Sequence, residues 1–183
     1  MFISEIVTAG VMAKTDSFFI RASVTPDDSS TYVQTTIDLG AFVDALGKSV
    51  LRIHNIEYEW ATDTGLPPNV DAGTLADAVW QLTTQSQTAI VGLNDKSIIG
   101  KGQIWAFNPD PGTSGSPSQV YSDSHAPQHF TQGYLVAVEQ IYLGAEGSTN
   151  WAASSNLTCN MILECTVESL SEKAAMSLAL SQQ

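Results

Sequence analysis

Charged side chains are scarce in this sequence, and basic ones are the scarcest. Asp, Glu, Lys and Arg make up 14% of the 183 residues, against about 25% in an average soluble protein. Only seven lysines and arginines are present, spread along the whole chain, and 19 acidic residues bring the net charge to −12. Because contact with nucleic-acid phosphates or anionic lipids needs clustered basic side chains, we expect no direct nucleic-acid binding and no polybasic membrane anchor.

Long apolar runs are also missing. No stretch approaches the ~20 apolar residues that a membrane-spanning helix needs. The first 14 residues have no positive charge before their apolar part and carry Glu5 within it, which is unlike a secretory signal peptide. The sequence therefore predicts a protein that does not span a membrane and that has no Sec signal in this segment.

The most regular pattern lies in residues 157–170, LTCNMILECTVESL. From 157 to 168 the odd positions are apolar or cysteine and the even positions polar, with Ile162 as the exception. This is the period of a β-strand that covers a core with one face. A typical strand has about 5–6 residues, so this one is unusually long. Because a long exposed edge invites aggregation, we expect neighbouring strands on both of its sides.

The two cysteines, Cys159 and Cys165, fall on the same face of that strand. At ~3.3 Å per residue they lie roughly 20 Å apart, which is beyond the ~7 Å that a disulfide spans. We therefore expect two buried thiols that pack as small apolar side chains. The alternative, a catalytic thiol, lacks a neighbour in the sequence that would lower its pKa.

A second informative strand is predicted at residues 49–60. Its apolar residues occupy odd positions as far as Ile53 and even positions from Ile56 onward. A β-bulge at His54 and Asn55 would produce this change of phase while keeping the same face inward. His54 is therefore interpreted as a structural residue beside the bulge.

The remaining elements follow from branched and aromatic residues between turn clusters. Strands are predicted at 2–14, 17–25, 31–39, 77–84, 88–93, 98–107 and 134–144, and a short helical turn at 41–47. The strands at 88–93 and 98–107 are expected to form a hairpin around the turn at 94–96. Residues 134–144 are apolar at odd and even positions, which is typical of a strand covered on both sides or lying at a subunit contact.

Residues 171–183 are predicted to form a terminal helix. Ser169 and Glu172 have the spacing of a capping box. Small residues form a stripe along one side, namely Ala174, Ala175, Leu178 and Ala179. Met176 and Leu180 lie off this stripe, so the helix is apolar nearly all round and needs cover from its own body or from a neighbour.

Eight or nine strands with two short helices favour an all-β fold. The long, late, alternating strand predicts an antiparallel two-sheet sandwich of jelly-roll type with a short C-terminal helix. The length fits one domain over residues 1–183, with the β-sandwich at 1–170 and the terminal helix at 171–183.

Residues 108–129 contain four prolines and many serines, and a connection of ~20 residues usually marks a functional or flexible surface loop. Asp123, His125 and His129 are its only cluster of metal-ligand residue types. Pro127 prevents a helix from stacking the two imidazoles, and zinc would need a further ligand. We therefore predict no metal and no cofactor, with these three residues as the only metal candidates and a solvated loop as the simpler interpretation.

Catalytic motifs are absent from the sequence. No GxSxG, HExxH, P-loop or GxGxxG lies in a fitting strand–helix context, and we predict that the protein is not an enzyme. Paired carboxylates for glycoside hydrolysis stay open, with four residues as candidates: Asp27, Glu57, Glu59 and Glu139.

The strand-dominated body, the neutral loop at 108–129, the doubly apolar YLVAVEQIYL at 134–143 and the closing ECTVESLSEKAAMSLALSQQ at 164–183 support a resemblance. The chain resembles single jelly-roll major capsid proteins of tailless icosahedral viruses of bacteria or archaea. The resemblance implies a self-assembling homo-oligomer that forms ring-shaped capsomers in the virion after production in the host cytoplasm. It also implies other capsid proteins as partners and a membrane beneath the shell that the chain does not span.

Neutral polar side chains cost less to desolvate than charged ones, which favours a protein that buries much of its outside against copies of itself. A surface without any partner is the alternative interpretation. The predicted interface residues come from the doubly apolar strand and the terminal helix: Tyr134, Val136, Tyr142, Ala175, Leu178 and Ala179.

A carbohydrate-binding or adhesion module on the same scaffold is the alternative function. Such a module would stack sugars on exposed aromatic rings, for which Trp60, Trp105, Trp151 and Tyr121 are available. Trp60 ends an alternating run and is assigned to the core. Trp151, in the predicted loop at 147–156, is the preferred glycan-binding residue.

Overall fold

The computed structural model describes residues 15–26, 30–44, 48–152 and 156–183. Nine strands are present in these ranges: β1 (Phe18–Val24), β2 (Val33–Asp38), β3 (Ser49–Ala61), β4 (Leu75–Thr83), β5 (Ile98–Phe107), β6 (Gln119–His125), β7 (Tyr134–Val136), β8 (Gln140–Gly147) and β9 (Thr158–Ser169). A 3₁₀ helix spans Pro127–His129, and the helix α1 spans Glu172–Ser181. The strand predicted at 2–14 lies outside the described residues.

The strands form two antiparallel sheets. One has the order β1-β9-β3-β7 and the other the order β2-β8-β4-β5-β6. If β6 is left out and the remaining eight strands are numbered in chain order, the two sheets have the orders 1-8-3-6 and 2-7-4-5. These are the sheet orders of a jelly roll, which is built from two Greek keys. The predicted fold class is therefore confirmed, with β6 as an additional strand at one edge.

The long predicted strand is β9, and it lies between β1 and β3. Its inward residues Cys159, Met161, Leu163 and Cys165 are at most 1% exposed, as the alternation predicted. The alternation ends at Thr166, because Thr166 and Glu168 on the other face are also buried. Hydrogen bonds from β3 explain this burial, since Arg52 binds Glu168 and His54 binds Thr166.

The predicted bulge in β3 is confirmed. Ile53 pairs with Cys165, whereas Asn55 pairs with the adjacent Glu164, so His54 is the extra residue. Its Nε2 lies 2.9 Å from Oγ1 of Thr166. The bulge keeps the apolar side chains before and after it on the inner face.

Residues 134–144 do not form one strand, contrary to the prediction. Tyr134–Val136 belongs to the four-stranded sheet as β7, and Gln140–Gly147 belongs to the five-stranded sheet as β8. The chain crosses between the sheets at 137–139, where Ala137 and Val138 are buried. Both parities are apolar because the segment passes through the interior rather than along one face.

The predicted hairpin of 88–93 with 98–107 is also wrong. β4 itself pairs with β5, from Leu75 opposite Phe107 to Thr83 opposite Ile98. Residues 84–97 connect the two strands, and the Gln81 side chain satisfies part of their backbone. Its Nε2 donates to Ala89 O at 3.0 Å, and its Oε1 accepts from Val91 N at 2.8 Å.

The predicted loop at 108–129 contains β6 and the 3₁₀ helix. β6 is an edge strand whose residues are exposed or half-buried on both faces. Water on both faces removes the requirement for alternating apolar residues, so the segment lacks the periodicity by which strands are recognised.

The predicted terminal helix is present, but its N-cap is Ser171 rather than Ser169, since Oγ of Ser171 accepts from Ala174 N at 3.3 Å. Ala175 and Ala179 pack against Val50 and Ala137 in a small second core. Of the helical turn predicted at 41–47, the structure describes residues 41–44, with the backbone N–H groups of Phe42 and Val43 donating to Leu39 O; residues 45–47 lie outside the described ranges.

Candidate functional site

An apolar patch lies on the outer face of the five-stranded sheet. Trp105 on β5 and Tyr121 on β6 are directly opposite each other, with ring centroids 5.2 Å apart and planes inclined by 23°. Phe107 follows Trp105 on the same face, opposite Leu75 of β4. Trp105, Tyr121 and Leu75 are 38%, 55% and 53% exposed. We call Leu75, Trp105, Phe107 and Tyr121 the aromatic patch.

Polar and acidic side chains border the aromatic patch. Asp77 lies opposite Trp105 on its other side, and Gln103 and Asp123 form the next row. Lys101 is the only lysine or arginine in the described strands of this sheet. Its ammonium donates to Val91 O at 2.6 Å, and partial burial lowers its pKa. The surroundings of the patch are therefore neutral to negative.

The outer face of the four-stranded sheet carries a different surface. Phe19 on β1 is 56% exposed and Ile162 on β9 is 38% exposed. Ile162 lies between Arg21 of β1 and Glu57 of β3, and these three residues line a shallow groove. We call Phe19 and Ile162 the apolar pair of this face. The two outer faces of the sandwich thus each display apolar side chains, in different settings.

The structure places most of the predicted interface residues inside the chain's own fold. Val136, Ala175 and Ala179 are buried, and Tyr134 and Leu178 are half-buried against the same core clusters. Tyr142 is half-buried, and its hydroxyl donates to Gln140 Oε1 at 3.2 Å.

On α1, the exposed apolar residues are Met176 and Leu180, 45% and 66% exposed. Both lie off the predicted small-residue stripe. Of the stripe itself, Ala175, Leu178 and Ala179 pack on the body, whereas Ala174 is exposed.

Trp151 is enclosed rather than displayed. The side chain is 1% exposed, and its Nε1 donates to Asp77 O at 2.9 Å, which ties the segment after β8 to β4. Trp60 is also buried, as the sequence predicted. Of the four aromatic residues considered for glycan binding, Trp105 and Tyr121 are therefore accessible to a ligand, and the preferred residue, Trp151, is not. The signal in the sequence was a tryptophan at an otherwise polar position of β5, after Lys101 and Gln103.

The three metal candidates do not converge. Asp123 and His125 lie on β6 and His129 in the 3₁₀ helix, and within the described ranges no three His, Cys, Asp or Glu side chains form a group that could hold a metal ion. Of the candidate carboxylates, Glu57 and Glu59 share the outer face of β3 and line the same groove, whereas Glu139 lies in the crossing to β8. Asp27 lies outside the described residues.

The two thiols are buried, and they are free rather than joined in a disulfide. Burial and the negative charge of Glu164 raise the pKa of Cys165 to about 12, and burial raises that of Cys159 further. Both therefore stay protonated at neutral pH, where the thiolate is the reactive form. In the described part of the chain, no helix has the length and apolarity to cross a bilayer.

No protein-family model matches this sequence, and no curated protein matches it. Three solved structures to which the chain is similar come from viruses. A chain from Desmodium yellow mottle tymovirus has 4% identity and a TM-score of 0.41, with 92% of this chain and 94% of that chain covered. Merkel cell polyomavirus VP1 in complex with 3'-sialyllactosamine has 8% identity and a TM-score of 0.42, over 86% and 97%. A chain from turnip yellow mosaic virus has 8% identity and a TM-score of 0.41, over 92% and 87%.

Proposed function

We propose that this protein is a structural subunit of an icosahedral virus capsid, and that its copies assemble into ring-shaped capsomers. The observation that supports this function is the presence of exposed apolar side chains on both outer faces of a jelly roll. Jelly rolls recur among capsid and lectin domains. Exposed apolar patches on a folded domain are typical of interaction sites.

A ring requires two different, complementary surfaces on each subunit, because each copy contacts its neighbours head to tail. The aromatic patch and the apolar pair meet this requirement, since they lie on opposite sides of the sandwich and differ in composition. A specific contact buries about 1,200–2,000 Å².

In this role the protein lies in the virion of a bacterial or archaeal virus after synthesis in the host cytoplasm, with other capsid proteins as partners. It has a structural rather than a catalytic task. Its seven basic residues form no run in the sequence, so contact with the genome falls to other components. A membrane beneath the shell is bordered rather than crossed by this subunit.

The size of the purified full-length chain tests this function. Light scattering after size exclusion and negative-stain electron microscopy should show rings or larger particles. Phe19→Asp should abolish the rings while leaving the circular dichroism spectrum unchanged, because it places a charge in the apolar pair. Leu66→Asp, in an exposed loop at 63% exposure, is the matched control and should assemble normally. A strict monomer at millimolar concentration would contradict the proposal.

A second candidate function is binding of a neutral saccharide, and the stacked pair of Trp105 and Tyr121 favours it. Aromatic rings combine a large apolar face with low conformational-entropy cost, and Asp77, Gln103 and Asp123 could accept or donate hydrogen bonds to hydroxyl groups beside them. The carboxylates disfavour anionic sugars. Retention on neutral polysaccharide gels should be lost in Trp105→Ala and kept in Phe130→Ala, an exposed aromatic outside the patch. Equal retention of both variants would exclude this site.

A further inference from the structure

The sandwich closes one sheet edge with a side chain. β7 is the last strand of the four-stranded sheet, and the amide of Gln182 occupies the place of a neighbouring peptide group. Its Nε2 donates to Leu135 O at 2.7 Å, and its Oε1 accepts from Ala137 N at 2.9 Å. Gln182 is 3% exposed, so this edge cannot accept a further strand here.

The edge at β6 is arranged differently. β6 is the last strand of the five-stranded sheet, and within the described ranges no strand pairs with its outer side. Asn108 N donates to Thr74 O at 3.0 Å, which continues the β4–β5 ladder as a hydrogen-bonded pair. Because such pairs alternate along antiparallel strands, even-numbered residues of β5 bond to β4 and odd-numbered ones bond to β6.

The register between β5 and β6 joins odd-numbered residues to odd-numbered ones, as in Trp105 with Tyr121. The even-numbered residues of β6 therefore direct their backbone N–H and C=O groups away from the sheet. These residues are Val120, Ser122 and Ser124. They present six backbone groups in the geometry that a further antiparallel strand accepts.

β6 also lacks the devices that usually protect an edge. Natural edges are blunted by lysine, proline, a bulge or a very short strand. β6 has seven residues, no lysine and no internal proline, and Asp123 is its only carboxylate. Val120 and Tyr121 are 59% and 55% exposed, so the edge is reachable from outside.

We propose that β6 pairs antiparallel with β6 of a second copy about a two-fold axis at Ser122. Ser122 then faces its symmetry mate, Tyr121 faces Asp123, Val120 faces Ser124 and Gln119 faces His125. All seven residues are paired, and every outward N–H and C=O of the three even-numbered residues finds a partner. The two five-stranded sheets become one continuous sheet.

The sequence of β6 favours this register over the adjacent one. A two-fold axis at Asp123 would place two carboxylates opposite each other, and like charges in that position are destabilising. The axis at Ser122 separates them and sets each carboxylate opposite a tyrosine. It also brings the aromatic patches of the two copies together on one face of the joined sheet.

This inference rests on the proposed function, because it gives the assembly a second kind of contact. A ring uses heterologous contacts between two different faces, whereas pairing of β6 with β6 is isologous. The isologous contact would therefore link two rings rather than close one. Edge pairing adds main-chain hydrogen bonds without enlarging the area of either face.

A charge swap at the axis tests the pairing. Ser122→Lys places two ammonium groups opposite each other, and the dissociation constant of the linked species should rise roughly 10-fold or more. Mixing Ser122→Lys with Ser122→Asp should restore the link, measured by sedimentation velocity. Ser116→Lys, an equal charge at an exposed position before β6, is the control and should associate as the wild type does.

The outcomes separate the two proposals. Rings that persist in Ser122→Lys but no longer join would support both. Two-copy species in a wild type that forms no rings would support the pairing and contradict the capsomer. Unchanged association of Ser122→Lys, or no restoration in the mixture, would overturn the pairing and leave the rings to be judged by Phe19→Asp.

Discussion

The last strands of the two sheets, β7 and β6, treat their edges in opposite ways. At β7 the amide of Gln182 takes up Leu135 O and Ala137 N, and α1 packs beside it on Val50. At β6 three residues turn their backbone groups outward with no cover in the described part of the chain. We expect the capped edge to contribute to the stability of the fold, and the open edge to contribute little to folding and to serve the proposed pairing. Variants at the capped edge should therefore lower the free energy of unfolding, whereas variants at the open edge should weaken association.

The largest effect is expected beside the capped edge, at the ion pair of Arg52 and Glu168. Arg52 Nε and Nη2 donate to the carboxylate at 2.7 and 2.8 Å, with side chains 13% and 8% exposed. Glu168→Ala leaves the guanidinium buried without its counter-charge and should lower the free energy of unfolding by about 3–5 kcal/mol. Urea denaturation measures it. Glu164→Ala, on the outer face of the same strand, should change it by less than about 0.5 kcal/mol.

Removing the cap itself should have the next largest effect. Gln182→Ala leaves Leu135 O and Ala137 N without their partner, and unsatisfied buried groups cost about 1–3 kcal/mol each. We expect a loss of about 2–3 kcal/mol, or roughly 5–10 °C in Tm for a chain of this size. Gln183→Ala, one residue further and exposed, should leave Tm unchanged. Equal melting of the two variants would remove the distinction between capped and open edges.

The stacked pair of Trp105 and Tyr121 should contribute less to stability, because it joins the edge strand β6 to its one neighbouring strand, β5. Trp105→Ala removes the ring that contacts Tyr121 and should cost about 1 kcal/mol. The loss should be local, with faster amide exchange in β6 and unchanged exchange in β9. Phe130 has the same exposed fraction as Tyr121, 55%, and Phe130→Ala should leave amide exchange in β6 unchanged. Uniform acceleration across both sheets would show that the pair belongs to the main core.

The smallest effect on folding is expected at the centre of the open edge. Ser122→Pro removes an N–H that points away from the sheet, so the free energy of unfolding should change by less than about 1 kcal/mol. Association should nevertheless be lost, because proline has no N–H to donate to β6 of the second copy. Tyr121→Pro removes an N–H that faces β5, so it breaks a hydrogen bond of the ladder and should destabilise the fold more than Ser122→Pro does. Similar destabilisation by both prolines would mean that the assigned directions of these N–H groups are wrong.

The same contrast explains what the sequence could predict. β9 and β3 cover the core with one face, so their alternation and the bulge at His54 were readable from the residues alone. β6 has water on both faces and carries no period. Ala137 and Val138 are buried where the chain crosses between the sheets, and this apolar stretch hides the break between β7 and β8. Periodicity detects strands with one buried face and misses strands with none or two.

The candidate functional residues were harder to predict for a related reason. The sequence does not show whether a tryptophan in a loop or one in a strand is buried, because this depends on the fold. Trp151 in its loop is buried, whereas Trp105 on β5 is exposed. Likewise, three residues of the predicted stripe of α1, Ala175, Leu178 and Ala179, pack on the chain itself rather than on a neighbour. Gln182 has no sequence signal, because its role depends on which backbone groups lie within its reach.

Residue-specific hydrogen exchange of the backbone amides tests the central claim most directly. In the monomer at low concentration, the amide of Ala137 should be protected and those of Val120, Ser122 and Ser124 should exchange rapidly. On association the three β6 amides should become protected, while Ala137 stays as it was. Rapid exchange of these three amides in the associated form would contradict the account, as would protection of all three in the monomer.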